Sequence, residues 1–151
     1  MKFLLLLGIL LCGGCASFKV VDDPSEEKIA GHYQTFSGDM LSFLEMKPDH
    51  TYLGARHSHS DTDGRLLGAW SESGSWTLTG SKVLLVRRTT DDPYPAIPPR
   101  LIVARYKGDL ILVPEQSYQK YRKGMPPEIY QWHFRRTAVG LSSFDEKKEP
   151  I

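Results

Sequence analysis

The chain has 151 residues, with 19 lysine and arginine residues against 18 aspartate and glutamate residues and a formal net charge of +1. This near-neutral balance gives no electrostatic reason to expect binding to nucleic acid, which depends on neutralising backbone phosphates. The length suits one domain. Both cysteines lie before residue 16, so the rest of the chain has no thiol for catalysis, redox chemistry or metal binding.

The first element in the chain is a short apolar run. Residues 3–11, FLLLLGILL, follow Lys2 and precede Gly13 and Gly14. A helix that spans a bilayer needs about 20 apolar residues, so this run is too short to cross one. A basic start, a short apolar stretch and small residues are typical of a secretory signal peptide. We therefore expect residues 1–14 to be removed on export.

The cysteine that follows carries the next prediction. The LCGGC of residues 11–15 resembles the lipobox of bacterial lipoproteins, in which a small residue precedes a cysteine that is acylated and becomes the new N-terminus. Cys12 stands where that family usually has leucine, and the alternative anchor, Cys12 itself, would put Leu11 at the cleavage position. The resemblance implies lipid attachment at Cys15, with palmitate-type acyl chains. Because Ala16 rather than aspartate follows, it also implies export to the bacterial cell envelope, at the outer membrane and facing the periplasm.

A charged segment follows the cysteine, and the pattern of the chain after it predicts strands. Residues 16–29 are interrupted by Pro24 and predict a tether, in which Ser25 is able to cap a short helical turn. From Gly31 onward, short apolar or alternating runs recur between turn residues, which is typical of an all-β sandwich or barrel. The expected strands are residues 32–37, 40–46, 51–58, 66–71, 74–78, 82–89, 101–106, 110–113 and 130–136. Long loops are expected over residues 93–99 and 114–128, and a disordered tail over residues 138–151.

Short strands joined mostly by tight hairpins favour an antiparallel up-and-down β-barrel of about 8–9 strands over residues 31–137. Closure of a barrel removes exposed strand edges, and a two-sheet β-sandwich is the alternative. Gly31-His32-Tyr33 near the start of the first strand and Arg136 near the end of the last resemble the closed end of lipocalin-like barrels, in which an arginine packs across an aromatic ring. That family usually has tryptophan where Tyr33 stands. Residues 40–52 and 68–76 resemble small lipocalin-like domains of bacterial envelope lipoproteins.

A histidine pair gives the sharpest candidate for chemistry. His57, His59 and Asp61 share one face if their strand continues, and two imidazoles with a carboxylate are able to hold a metal ion. If Leu53 and Ala55 on that face point inward, the histidines continue toward the barrel mouth. The alternatives are a solvated strand end running into the Asp-Gly hairpin and a histidine role in ligand binding or pH response.

Aromatic residues give the second candidate site. Alternation on the last strand puts Tyr130, Trp132 and Phe134 on the inward side, with Arg136 at the rim of the interior. Trp70, Trp132 and Arg136 are therefore candidate ligand-binding residues if the aromatics line a cavity. The alternative is that the aromatic side chains fill the barrel as ordinary core.

Two kinds of function remain open from the sequence. The first is a binding module that holds a small apolar ligand or a metal ion in the barrel. The second is a solid scaffold that docks an envelope protein or the cell wall through residues 93–99 and 114–128, where tyrosines alternate with basic residues over 118–123. Enzymes are the least favoured class, because the sequence has no Gly-x-Ser-x-Gly elbow, no phosphate-binding glycine loop and no His-Glu-x-x-His motif.

Overall fold

The structure is a computed structural model and describes residues 18–37, 40–59, 66–89, 95–123 and 133–138. Its elements are β1 (Phe18–Val20), α1 (Glu26–Ile29), β2 (Gly31–Ser37), β3 (Met40–Met46), β4 (Thr51–His59), β5 (Leu66–Thr79), β6 (Lys82–Thr89), β7 (Arg100–Tyr106), β8 (Asp109–Pro114), α2 (Glu115–Arg122) and β9 (Phe134–Thr137). The signal sequence with Cys15, residues 60–65 with Asp61, Trp132 and the tail from residue 139 lie outside the described residues. No helix of the described part is long and apolar enough to span a membrane.

Eight strands close into an antiparallel barrel. Strands β2 to β8 each pair with the next strand in the chain, and β9 pairs with both β8 and β2. This ring is the expected up-and-down barrel and not the alternative sandwich. β1 is an additional strand that pairs with the second half of β7, Phe18 opposite Tyr106 and Val20 opposite Ala104.

One long strand replaces two expected short ones. β5 runs for 14 residues, whereas two strands over residues 66–71 and 74–78 were expected. The strand stays continuous across a bulge between Ser73 and Gly74. A Cβ at Gly74 would lie 2.1 Å from the carbonyl oxygen of Val86, so only glycine allows the two strands to approach this closely. Glu72, which lies between the two expected strands, points into the barrel and is 7% exposed.

The segment before β2 closes one end of the barrel. Ile29 at the end of α1 is fully buried, and its carbonyl accepts a 2.6 Å hydrogen bond from the Tyr33 hydroxyl. Arg136 donates to the carbonyls of Lys28 and Ala30 at 3.0 and 2.7 Å, which satisfies carbonyls that a helix end leaves unpaired. We call this the closed end. Within the segment predicted as a tether, residues 16–29, Phe18–Val20 instead forms a strand and Ile29 is part of the core.

The main core fills the closed end. Trp76 is its largest side chain; its Nε1 donates to the Lys47 carbonyl at 2.9 Å, and its ring stacks on His50 with centroids 4.8 Å apart. The other buried members include Ile29, Tyr33, Leu44, Met46, Tyr52, Val83, Leu85, Ile97, Leu101, Val103, Leu112 and Phe134. Trp76 is thus ordinary core, whereas Phe134 belongs to the core and also lines the cavity described below.

A second cluster lies outside the barrel wall. Helix α2 lies within residues 114–128, which were expected to form a loop, and its Tyr121 packs on the outer side of β7 and β8. The ring of Phe18 in β1 stacks on Tyr121 with centroids 5.5 Å apart. The Tyr121 hydroxyl lies 3.3 Å from Nδ1 of His133, which is 4% exposed. The buried members of both clusters lie between Ile29 and Phe134, so a chain that begins at residue 16 contains every core residue that the structure describes.

Candidate functional site

The inner face of β4 is set by Tyr52 rather than by Leu53. Tyr52 is 1% exposed and Leu53 is 37% exposed. Because side chains alternate along a strand, Gly54 and Arg56 follow Tyr52 to the inside and His57 follows Leu53 to the outside. The condition for histidines at the barrel mouth, Leu53 facing inward, is therefore wrong.

A cavity of about 260 Å³ opens at the end of the barrel opposite α1, which we call the mouth. Its wall combines inner-face residues of β2, β3, β4 and β9 with the described part of the proline-rich segment and the start of α2. The lining residues are Thr35, Ser37, Met40, Ser42, Arg56, Pro95, Ala96, Pro98, Pro99, Pro114, Gln116 and Phe134. The wall therefore mixes three hydroxyls and a guanidinium with apolar side chains, as small-molecule sites do.

Arg56 is the charged group of this wall. Its guanidinium carbon lies 5.0 Å from the centre of the Trp70 ring, directly across the strand pair, a distance at which a cation is attracted to the ring face. Its Nε is buried and makes no hydrogen bond within the part of the chain that the structure describes. A buried donor without an acceptor costs about 1–3 kcal/mol, so this atom needs a partner from elsewhere.

The proline-rich segment fills a gap in the barrel wall. β6 and β7 pair only between residues 82–84 and 100–102. Beyond that point the Leu85 N–H donates to the Pro99 carbonyl at 2.8 Å. Ala96 and Ile97 turn inward and are 6% and 1% exposed. The described part of this segment is therefore built into the core instead of standing free as a docking loop.

Glu72 holds that segment in place. Its carboxylate accepts a 2.8 Å hydrogen bond from the Ala96 N–H and a 3.2 Å hydrogen bond from the Tyr52 hydroxyl. Arg87 lies 3.8 Å away and balances the charge. Burial raises the pKa of the Tyr52 hydroxyl above its usual value, and the negative charge of Glu72 raises it further. Tyr52 therefore stays a neutral hydrogen-bond donor. This network ties β4, β5, β6 and the segment together.

The predicted ligand residues lie at different ends of the barrel. Trp70 stands beside Arg56 at the mouth, and its ring lies over Gly68, where a Cβ would be 2.7 Å from it. Arg136 lies at the closed end, where it donates to the carbonyls of Lys28 and Ala30 and its guanidinium lies against Gly31. Trp132 lies outside the described residues, so its part in the site stays a prediction.

The predicted metal residues are not brought together in the described part of the chain. His57 packs its ring edge-on against Phe43 on the outer face, with centroids 5.9 Å apart. His59 ends β4, Asp61 lies outside the described residues, and the described residues contain no group of three metal-binding side chains. The metal site remains a prediction without support from the geometry.

Two residues of the site were missed from the sequence. Arg56 and Glu72 were both visible, but no partner was assigned to either. The available signal was the inward face itself: Tyr52, Gly54 and Arg56 alternate with Leu53, Ala55 and His57. Choosing the face with the aromatic and the glycine, rather than the one with two aliphatic residues, would have directed Arg56 into the barrel.

Comparison of the chain with protein families, with curated proteins and with solved structures gives no match.

Proposed function

We propose that the chain is an exported bacterial lipoprotein, held at the membrane by acylated Cys15, whose barrel binds a small ligand in the cavity at its mouth. The observation that carries the binding role is the cavity of about 260 Å³ with its mixed lining. It contrasts with the closed end, where Ile29, Tyr33 and Trp76 leave no more than 1% of their surfaces exposed. A barrel that is packed at one end and hollow at the other suits a binding module.

Two further features favour binding over the scaffold alternative. A scaffold that docks partners through its loops needs those loops on the surface. Ile97 of the proline-rich segment is instead buried in the core, and Tyr121 of α2 is buried against the barrel wall. Both segments therefore shape the barrel, and Pro98 and Gln116 line the cavity.

The membrane anchor is tested with the two cysteines as a matched pair. Cys15→Ser should move the protein from the membrane fraction to the aqueous fraction and abolish incorporation of a labelled fatty acid. Cys12→Ser, which makes the same chemical change within the expected signal peptide, should leave both readouts unchanged. Retention of the label in Cys15→Ser with loss in Cys12→Ser would move the anchor to Cys12, and retention in both variants would remove the lipoprotein proposal. Fractionation of the two membranes of a host cell tests the proposed outer-membrane location.

The binding role is tested by native mass spectrometry. The chain from residue 16 to 151 is exported to a periplasm and purified without chelators or detergent, and its mass is then measured under native conditions. We expect an additional mass that matches a small molecule. Ser42→Leu, on the cavity wall, should reduce the loaded fraction, whereas Ser71→Leu, on the exposed outer side of β5, should not. A bare mass together with no uptake from a cell extract would support the scaffold alternative instead.

A further inference from the structure

We infer that the mouth cavity takes an anionic amphipath: a small molecule with one carboxylate or similar oxyanion that pairs with Arg56, and a compact apolar body. The inference rests on the proposed function, because it names the chemical class of the ligand for the same cavity. Three features of the cavity support it: the buried Nε of Arg56, which has no acceptor among the described residues, the neighbouring groups that are already engaged, and the apolar remainder of the wall.

The hydrogen-bonding state of Arg56 calls for an oxyanion. A guanidinium carries five N–H donors and no acceptor. The contact with the Trp70 ring engages the positive charge of the group and supplies no hydrogen-bond acceptor for its edge. Nε is buried on the cavity wall without an acceptor among the described residues. A carboxylate or phosphate oxygen fits the edge of a guanidinium, where it is able to accept two parallel hydrogen bonds.

Glu72, an inward-facing acidic side chain on the neighbouring strand, already has partners. Gly54 lies opposite Glu72, so the carboxylate stands one inward position away from Arg56 on the neighbouring strand. Its oxygens accept from the Ala96 N–H and the Tyr52 hydroxyl and lie next to Arg87. Within the described ranges, no carboxylate lies within ion-pair distance of Arg56, and the positive charge at the mouth is left for a ligand.

The remaining wall fits an apolar body. Met40, Phe134 and Pro98 present carbon surface, and a proline has no N–H to leave unsatisfied against it. The hydroxyls of Ser42, which is paired with Arg56 across β3 and β4, and of Thr35 and Ser37 are on the same wall as the guanidinium. A volume of about 260 Å³ is below the roughly 300–1,000 Å³ of typical drug-sized sites, so the ligand is small.

The start of α2 adds to the positive potential. Pro114 and Gln116 line the cavity, and the positive end of a helix dipole stabilises a nearby anion. Glu115, in the same turn, has its carboxylate engaged by Lys82 at 2.8 Å and lies 3.7 Å from Arg100. Those two cations offset its charge at the helix start.

The test uses two probes of equal length that differ in charge, octanoate and 1-octanol. The chain from residue 16 to 151 is titrated with each probe by isothermal calorimetry at neutral pH. We expect octanoate to bind at least tenfold more tightly than octanol. Arg56→Gln should weaken octanoate binding at least tenfold and leave octanol binding unchanged, and Arg56→Lys should retain part of the preference. Arg88→Gln, with an exposed arginine on β6, makes the same charge change and should have no effect.

Each result has a separate meaning. Equal binding of both probes, unaffected by Arg56→Gln, overturns the anionic ligand but leaves the binding function in place. No binding of either probe at millimolar concentration contradicts both proposals. Equal weakening of both probes in Arg56→Gln, with a lowered unfolding temperature, makes Arg56 a structural residue only and overturns the inference. If Arg56→Gln does not fold, the Arg56 Nε–H resonance of the unmodified protein decides: it should shift with octanoate and not with octanol.

Discussion

The fit of Gly54 against Ile97 can be tested by adding a single carbon atom. A Cβ at Gly54 would lie 2.6 Å from Cγ1 of Ile97 and 3.2 Å from Cγ of Glu72. Carbon atoms prefer separations of about 3.5–4.0 Å, so Gly54→Ala requires a movement of about 1 Å. Ile97 is 1% exposed and packed within the main core.

Two opposing effects determine how much Gly54→Ala changes the free energy of unfolding. Replacing a glycine by alanine reduces the conformational entropy of the unfolded chain and stabilises a protein by about 0.4–1 kcal/mol where the site is compatible. Overpacking a filled interior costs about 1–3 kcal/mol. We therefore expect Gly54→Ala to lower the free energy of unfolding by about 1–2 kcal/mol. If the proline-rich segment leaves its place altogether, the lost burial of Ile97 adds about 1.5–3 kcal/mol.

Urea unfolding followed by tryptophan fluorescence measures this effect, and a double-mutant cycle isolates its cause. Ile97→Ala alone should cost about 2–5 kcal/mol, because it leaves a cavity. In that background Cγ1 is gone, so Gly54→Ala should cost nothing or stabilise the protein. The expected coupling free energy is therefore about 1–3 kcal/mol. If Gly54→Ala costs the same in both backgrounds, the two residues do not clash and the steric reasoning is wrong.

Two further predictions concern buried hydroxyl and carboxyl groups. Burial raises the pKa of Tyr33 to about 12, against a partial opposing effect of the Arg136 charge, so the folded state keeps this proton where the unfolded state has lost it. The free energy of unfolding should then fall by about 3 kcal/mol between about pH 10 and pH 12. Tyr33→Phe should lower the free energy of unfolding at pH 7 and make this decline with pH smaller. An equal decline in both proteins would exclude Tyr33 as its cause. Glu72→Gln should destabilise the barrel by about 1.5–3 kcal/mol, since it removes a charged hydrogen-bond acceptor. It should also speed the hydrogen exchange of the Ala96 amide. An unchanged exchange rate at Ala96 would contradict the role of Glu72 in holding the proline-rich segment.

The strand pattern of the sequence predicted the barrel because local alternation and turns determine it. Residues 40–46 and 82–89 are strands with the expected bounds. The turn after Met46 likewise follows from Pro48 and Asp49, whose carboxylate accepts from the backbone and the hydroxyl of Thr51. Such features need only neighbours in the chain, and a single sequence displays them.

Features that depend on distant partners were not predictable in this way. The place of Ala96 is decided by Glu72, 24 residues earlier. Phe18 is positioned by Tyr106 and Tyr121. Both residues are far away in the chain, so the charged residues near Phe18 predicted a tether instead of a strand. The inward direction of Arg56 opposed the usual preference for charged residues outside. In each case a long-range contact outweighed the local signal.

If Cys15 carries the proposed lipid, the pairing of β1 with β7 limits the distance between the barrel and the membrane. Three residue steps separate Cys15 from Phe18, and an extended chain covers at most about 3.6 Å per residue, so an anchor at Cys15 has a reach of about 11 Å. Phe18 pairs with Tyr106, beside the hairpin at Lys107 and Gly108. Val103 of β7 donates to the carbonyl of Ser81, in the β5–β6 turn at the closed end. β7 continues from Val103 to the hairpin, so the hairpin lies at the closed end as well.

A lipid at Cys15 would therefore act as a short pivot under the closed end and leave the mouth directed away from the bilayer. A spin label at Asp109→Cys should then be relaxed by a paramagnetic lipid headgroup more strongly than one at Ser37→Cys, and the reverse order would place the mouth against the membrane. With the mouth outward, ligand would be exchanged with the surrounding aqueous compartment and not taken directly from the lipid layer that holds the protein.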